Sequence, residues 1–219
     1  MTLRSRPGFI IEWMLATCVV AGIVYTIIFA ISNNYLPQPF FYEPDDTWAD
    51  WFNTSYWARD PGSYDVWSTL YPPLSFVILR MLGIGSCYIQ GRAFESSPGL
   101  AARSCDWLGV ASIWFFFFLG VVLTYLALRK IDGKTALPRT IAVGLGFPFL
   151  DALERGNLML ISFPFFILAT SSILFSARLR WLFAALAINL KVYLIAAFVP
   201  LVLRRKWRWT ESVVIATVL

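Results

Sequence analysis

The sequence predicts an all-α protein, a polytopic bundle of about six apolar helices that crosses a membrane several times. Of its 219 residues, 58% are hydrophobic and 14% are charged, whereas soluble domains are nearer half apolar and a quarter charged. Several apolar runs approach 20 residues, the length that crosses the hydrocarbon core of a bilayer. We therefore expect an integral, multi-pass protein of the cell (inner) membrane, with residues 1–219 forming one domain.

The first predicted helix is the apolar run from Phe9 to Ile31, which follows Arg4 and Arg6. A signal peptide would have a shorter apolar core and a cleavage site of small residues. We therefore expect a membrane helix whose basic end faces the cytoplasm.

An acidic, aromatic loop over residues 32–69 is expected on the far side of the membrane. It holds six acidic residues and one basic residue, whereas the remainder of the chain carries a net charge of +10. In a membrane protein this basic balance predicts loops that contact anionic lipid headgroups, and it does not predict nucleic-acid binding.

Five further apolar runs follow this loop. The first of them is short and contains Arg80, so it spans only if Arg80 snorkels or its flanks contribute. The third is interrupted by Gly144, Gly146 and Pro148. In order, the runs cover residues 71–84, 107–128, 138–150, 158–177 and 181–203.

The sidedness of the later loops has two alternatives. If every apolar run spans, the basic loop 129–139 lies outside and the basic cluster 204–208 lies inside. If the short run 71–84 is re-entrant, those two sides reverse.

The end of the sequence has its own interpretation. An apolar segment begins near Val213 and is cut at Leu219, which is too short to span. We expect an N-terminal fragment of a longer protein, and the alternative is a last segment that is half-embedded in the membrane.

Several kinds of chemistry are excluded by the residues that are missing. The chain has no histidine, so it has no Ser-His-Asp or Cys-His pair. Its three cysteines share no C-x-x-C spacing, and no phosphate-binding glycine loop occurs. We predict no metal ligands and no cofactor, with a divalent cation left open. Cys87 and Cys105 could bridge in an extracytoplasmic loop but would stay reduced in the cytoplasm.

The first candidate site lies in residues 45–57. On one continuous helix, Asp46 and Asp50 would share a face with Asn53 and Trp57, while the aromatic side chains of residues 48, 51 and 52 would point into lipid. Such a helix would lie flat in the interface, where Asp50 or Asp46 could act as a general base. The alternative is a solvated acidic loop with an aromatic belt.

Two later segments carry charge between apolar runs. Arg155 suits a phosphate or pyrophosphate through its planar fork, and the alternative is an ion pair with Asp151 or Glu154 that anchors the loop. Lys191 is predicted ten residues into a helix, where it must reach a cavity, a carboxylate or a headgroup.

Four short motifs follow one another in the sequence: DDTWADWFN at 45–53, YPPL at 71–74, ERGN at 154–157 and NLKVY at 189–193, with Pro200 beyond. In this order they resemble the GT-C superfamily of integral-membrane glycosyltransferases. The similarity is to its polyprenyl- or dolichyl-phosphate-mannose-dependent branches, including family 87-type mannosyltransferases.

The resemblance implies an inverting enzyme that takes a hexose, mannose in those branches, from a polyprenyl-phosphate donor on the extracytoplasmic side. The acceptor would be a glycolipid or cell-envelope glycan. The essential acid maps to Asp50 first and Asp46 second. From their charge and polarity we infer that Arg155, Asn157 and Lys191 bind the donor phosphate. The alternatives are a transporter or flippase of lipid-linked saccharide and a non-catalytic membrane assembly subunit.

Overall fold

The protein, seen in a computed structural model, is a bundle of α-helices joined by turns and short 3₁₀ segments. The structure describes residues 6–40, 44–89 and 97–218, so Arg4 of the basic flank and Glu43 of the acidic loop lie outside the described residues. Within those ranges no β-strand occurs, which confirms the all-α prediction. The helices are α1 (Arg6–Asn33), α2 (Ala49–Trp57), α3 (Pro73–Met81), α4 (Trp107–Ile131), α5 (Ala136–Gly144), α6 (Phe147–Arg155), α7 (Met159–Thr170), α8 (Ala177–Leu190), α9 (Val199–Leu203) and α10 (Trp207–Val218).

Two helices are long and apolar enough to cross a membrane, namely Gly8–Asn33 within α1 and Trp107–Ile131, which is α4. A third span arises if α5 and α6, which meet at a 44° bend, are taken as one broken span. The described chain therefore supports two or three spans, and the predicted six is wrong. The reason is length, because α7 has 12 residues and α8 has 14. At 1.5 Å per residue these helices reach about 18 to 21 Å, against a hydrocarbon core of roughly 30 Å.

The apolar run that opens at Tyr71 forms only the nine-residue helix α3. Pro73 occupies its first turn, where a missing N–H costs no hydrogen bond. The helix packs against α2 and α8, and the Ser75 hydroxyl donates a 3.3 Å hydrogen bond to the carbonyl of Leu190. This helix is a short packing element, not a span.

The charged loops gather at two ends of the bundle. At one end, Lys130 Nζ donates to the Ser172 carbonyl at 2.9 Å, which holds the turn after α7 beside the end of α4. At the other end, the Trp48 amide donates to the Glu154 carbonyl at 2.7 Å. We call these the basic end (residues 129–134, 171–180 and 204–208) and the acidic end (residues 44–65 and 151–157).

The cluster 204–208 lies at the basic end because the chain reverses after α8. The 3₁₀ segment Val192–Phe198 and α9 run back from Lys191, and α10 then packs along α8. Asn189 Nδ2 donates to the Thr217 carbonyl at 3.1 Å. Both alternatives for sidedness assumed that residues 181–203 form one straight helix, and the break after Leu190 contradicts that assumption. The membrane sides of loops 129–139 and 204–208 stay predictions.

The core is built around α2. Trp51 and Phe52 are fully buried and Tyr56 is 1% exposed, packed with side chains from α3, α4, α6 and α7. The prediction that the aromatic side chains of this segment face lipid is therefore wrong for residues 51 and 52. The helix is enclosed by protein, with side chains on both of its predicted faces buried.

A second buried feature is the carboxylate of Asp106, which caps α4. Its side chain is fully buried and accepts hydrogen bonds from the amides of Gly109 at 2.9 Å and Ile84 at 3.0 Å, and from the Tyr88 hydroxyl at 2.6 Å. Burial, and then the hydrogen bond to Asp106, raise the pKa of Tyr88. The Arg59 guanidinium lies 4.3 Å from the centre of the Tyr88 ring.

A disulfide closes the same region. Cys87 and Cys105 are bonded, with 5.7 Å between their Cα atoms. Together with the Asp106 hydrogen bonds, it holds the segment after α3 against the start of α4.

Replacement of Asp106 by Ala should lower the free energy of unfolding by about 3 kcal/mol, because buried hydrogen-bond donors lose a charged acceptor. The matched control is Asp65→Ala, which removes an exposed carboxylate. Denaturant unfolding in detergent micelles, followed by circular dichroism, measures the difference. Equal stabilities of the two variants would contradict the structural role given to Asp106.

Candidate active site

Asp50 is the centre of a hydrogen-bonded group at the acidic end. Its carboxylate accepts from Arg155 Nη2 at 2.9 Å, from Arg155 Nε at 3.3 Å and from Asn157 Nδ2 at 2.7 Å. The side chains of Asp50 and Arg155 are 19% and 31% exposed. Charge-assisted hydrogen bonds between partly buried side chains stabilise a protein more than a surface ion pair does. The two N–H donors of the planar guanidinium also fix the geometry of the contact.

The backbone brings these residues together where α2 meets the end of α6. Gly156 ends α6 in the left-handed region, with φ of 63°. A Cβ added there would lie 2.8 Å from the Cβ of Trp51 and 3.1 Å from the Cα of Trp48. Glycine therefore serves two purposes, since it adopts the positive φ and it lets the two segments approach closely.

Asn157 uses both atoms of its side-chain amide. Its Nδ2 donates to Asp50, while its Oδ1 accepts a 3.0 Å hydrogen bond from the Met159 amide at the start of α7. This second bond satisfies an amide that has no partner within the helix. Asn157 therefore links the position of Asp50 to the start of α7.

Lys191 lies at the break after α8, not inside a helix as predicted. The helix ends at Leu190, and Lys191 has extended backbone angles. Its ammonium lies 4.6 Å from the centre of the Tyr71 ring, in the range of a cation–π contact. Burial lowers the pKa of the Lys191 ammonium, and the negative charge of Asp50 opposes this effect.

Tyr71 is protonated over the whole physiological range. Burial, and then the negative charge of Asp50, raise its pKa to about 12. Its hydroxyl therefore remains available as a hydrogen-bond donor beside Asp50.

A cavity of about 450 Å³ opens beside this group. It combines aromatic rings, hydroxyls and one ammonium, contributed by the end of α2, the segment before α3 and the break after α8. Its lining residues are Trp57, Trp67, Ser68, Thr69, Leu70, Tyr71, Pro72, Leu190, Lys191, Val192 and Tyr193.

Of the predicted site residues, Asp50, Arg155 and Asn157 are in direct contact, and Lys191 is close by.

Asp46 belongs to a separate 3₁₀ turn, Pro44–Asp46. The shared helical face predicted for Asp46 and Asp50 is wrong, because Trp48 has a φ of 67° and the helix begins only at Ala49. The turn is instead held by Arg103, which donates to the carbonyls of residues 45 and 47.

Asn53 also departs from the predicted face. It is 8% exposed, and its Oδ1 accepts from the Gly99 amide at 2.9 Å. A Cβ at Gly99 would overlap the carbonyl of Phe52, so this contact requires a glycine. The Asn53 side chain therefore has a packing role away from Asp50.

Tyr193 is a cavity residue that the sequence did not single out for a site. The NLKVY string marked its neighbourhood, but chemistry was assigned only to Lys191. Aromatic side chains in a membrane protein are common as interfacial anchors, so their type alone did not distinguish them.

The described part of the chain contains no group of three or more cysteine, aspartate or glutamate side chains that could hold a metal ion. No protein-family model, curated protein or solved structure matches this chain.

Replacement of Gly156 by Ala should destabilise the protein by at least about 1–2 kcal/mol, because the left-handed backbone is strained for alanine and the added Cβ meets Trp51. Gly22→Ala is the control, since nothing lies within 4 Å of its added Cβ on α1. Thermal unfolding in detergent should show a lower midpoint for the first variant and an equal or higher midpoint for the second. A Gly156→Ala midpoint at or above that of the unaltered protein would overturn the close-approach role.

Proposed function

We propose that the protein is a membrane glycosyltransferase that moves a hexose from a polyprenyl-phosphate donor to a hydroxyl of a glycolipid or cell-envelope glycan. The supporting observation is the contact of Asp50 with Arg155 and Asn157, side chains more than 100 residues apart in the sequence. The proposal rests also on the resemblance of their motifs to the polyprenyl-phosphate-mannose-dependent branches of the GT-C superfamily, and this resemblance favours mannose as the hexose.

Asp50 is the general base in this proposal. A carboxylate offers about four lone-pair positions, and three donor atoms occupy three of them. The remaining position can accept the proton of the acceptor hydroxyl. The hydroxyl oxygen then forms a bond to the anomeric carbon as the bond from that carbon to the phosphate oxygen breaks. The proton goes to Asp50, the electron pair leaves with the phosphate, and the configuration at carbon inverts.

Arg155 and Asn157 have a positioning role beside Asp50. Both donate directly to its carboxylate, which fixes the direction of its free lone pair. Binding of the donor phosphate by Arg155 stays a prediction, and it would require at least part of the guanidinium fork to leave Asp50.

Lys191 is the cation assigned to the donor phosphate. Its ammonium lies at the cavity, and the negative charge of a departing phosphate is stabilised by a cation fixed in place beforehand. The isoprenoid chain of the donor would remain in the lipid that surrounds the apolar helices.

We propose that the acidic end faces the extracytoplasmic side. Nine basic residues gather at the opposite end, and such clusters stay in the cytoplasm. They are Arg129, Lys130, Lys134, Arg178, Arg180, Arg204, Arg205, Lys206 and Arg208. The Cys87–Cys105 disulfide precedes α4 on the acidic side of the bundle and fits an oxidising compartment.

The decisive test uses the purified protein in proteoliposomes with radiolabelled polyprenyl-phosphate mannose and a membrane-lipid extract. Asp50→Asn should reduce label transfer to lipid product by at least about 100-fold, because proton removal by a positioned base contributes that much. Asp65→Asn, in the same acidic loop but exposed, should leave transfer unchanged.

Other results identify the competing functions. Label that crosses the bilayer without a new product, in the unaltered protein and in Asp50→Asn alike, would replace the proposal with transport. No transfer and no movement with any of several hexose donors would favour an assembly subunit. Full transfer by Asp50→Asn would reject Asp50 as the base.

A further inference from the structure

We propose that the cavity beside Tyr71 binds the hexosyl-phosphate head of a glycosyl monophosphate, with the sugar ring on its aromatic wall and the phosphate on Lys191. This inference rests on the proposed function and adds which part of the donor the cavity holds. Its volume of about 450 Å³ lies in the range of small-molecule sites. The sugar ring and the phosphate would therefore contact different side chains of the cavity.

The charge of the cavity specifies a single phosphate. Lys191 is the one charged side chain among the described lining residues. One ammonium can contact one phosphate group, whereas a diphosphate would leave its second phosphate group without a cation among those residues. The Tyr71 ring beneath the ammonium holds it in one place, which reduces the conformational entropy lost when the phosphate binds.

The aromatic side chains that line the cavity favour a ligand ring with polarised C–H bonds. The rings of Trp57 and Trp67 lie with centroids 6.2 Å apart, and Tyr71 and Tyr193 complete the wall. The negative face of an aromatic ring attracts the weakly positive C–H face of a pyranose, which has no charge of its own. Thr69 also lines the cavity, and its hydroxyl, which donates to the Ser63 carbonyl at 2.9 Å, can accept a hydrogen bond from a sugar hydroxyl.

The position of the cavity fits its use in transfer. Tyr71 and Lys191 line it, and so does Trp57, the last residue of the helix α2 that carries Asp50. The cavity therefore lies beside the helix that carries the proposed base.

Calorimetric titration of the detergent-purified protein tests this assignment without catalysis. The probes are mannose 1-phosphate, methyl mannoside and inorganic phosphate. Mannose 1-phosphate should bind at least about tenfold more tightly than either of the other two, because only it engages both the ammonium and the rings. Equal binding of inorganic phosphate and mannose 1-phosphate would reject the sugar wall.

Two variants separate the halves of the site. Lys191→Met should reduce the affinity for mannose 1-phosphate at least about tenfold, to the level of methyl mannoside. Tyr193→Ala should weaken mannose 1-phosphate about three- to tenfold and leave inorganic phosphate unchanged. Tyr25→Ala is its control, since both tyrosines are 59% exposed and Tyr25 lies on α1. Unchanged binding in both site variants would overturn the proposal.

Failure of this inference is distinguishable from failure of the proposed function. Asp50→Asn should bind mannose 1-phosphate at least as tightly as the unaltered protein does while losing transfer, because the substitution removes a negative charge near Lys191. Tight binding of mannose 1-phosphate, with no transfer by the unaltered protein or by any variant, would support the sugar-phosphate site and reject the proposed enzymatic function. Transfer that is unaffected by Lys191→Met and by Tyr193→Ala would support the enzymatic function but would mean that the donor binds outside this cavity. Competition by a short-chain polyprenyl-phosphate mannose shows whether the occupant is a lipid headgroup or a free sugar phosphate.

Discussion

The arrangement of the acidic end depends on the hydrogen bonds that the Asp50 carboxylate accepts from Arg155 and Asn157. These two side chains lie at the end of α6, and Asn157 also accepts a hydrogen bond from the first turn of α7. An aspartate and an arginine that are both partly buried must remain paired, because either one alone would be an uncompensated charge. The same contact explains the glycine that follows Arg155. Only a residue without a Cβ at position 156 allows α2 and α6 to approach within hydrogen-bonding distance.

Much of this arrangement could be predicted from residue type and order. The apolar composition and the two runs near Phe9 and Trp107 require helices of membrane length, and α1 and α4 have that length. The charges of Asp50 and Arg155 marked positions where polar groups in an apolar chain need partners, and the motif resemblance set them in one site. The structure brings these two side chains into contact, while their chemical roles remain proposals.

The rest depends on backbone breaks that periodicity does not reveal. A helical wheel over residues 45–57 assumes one continuous helix, and the left-handed angles of Trp48 interrupt it. Counting spans by hydropathy treated residues 181–203 as one helix, although the chain turns at Lys191. The burial of Asp106 could not be predicted from its position before α4, because Ile84 and Tyr88, two of its three partners, lie some 20 residues earlier and reach it only through folding.

A double-mutant cycle on Asp50 and Arg155 tests most directly whether this contact organises the site. The free energy of unfolding in detergent would be measured for Asp50→Asn, for Arg155→Gln and for the double variant. A direct charge-assisted contact predicts a coupling of about 1 kcal/mol or more, with the second substitution costing much less once the first is present. Effects that add to within about 0.3–0.5 kcal/mol would mean that the two side chains do not depend on each other and would contradict the central role of Asp50.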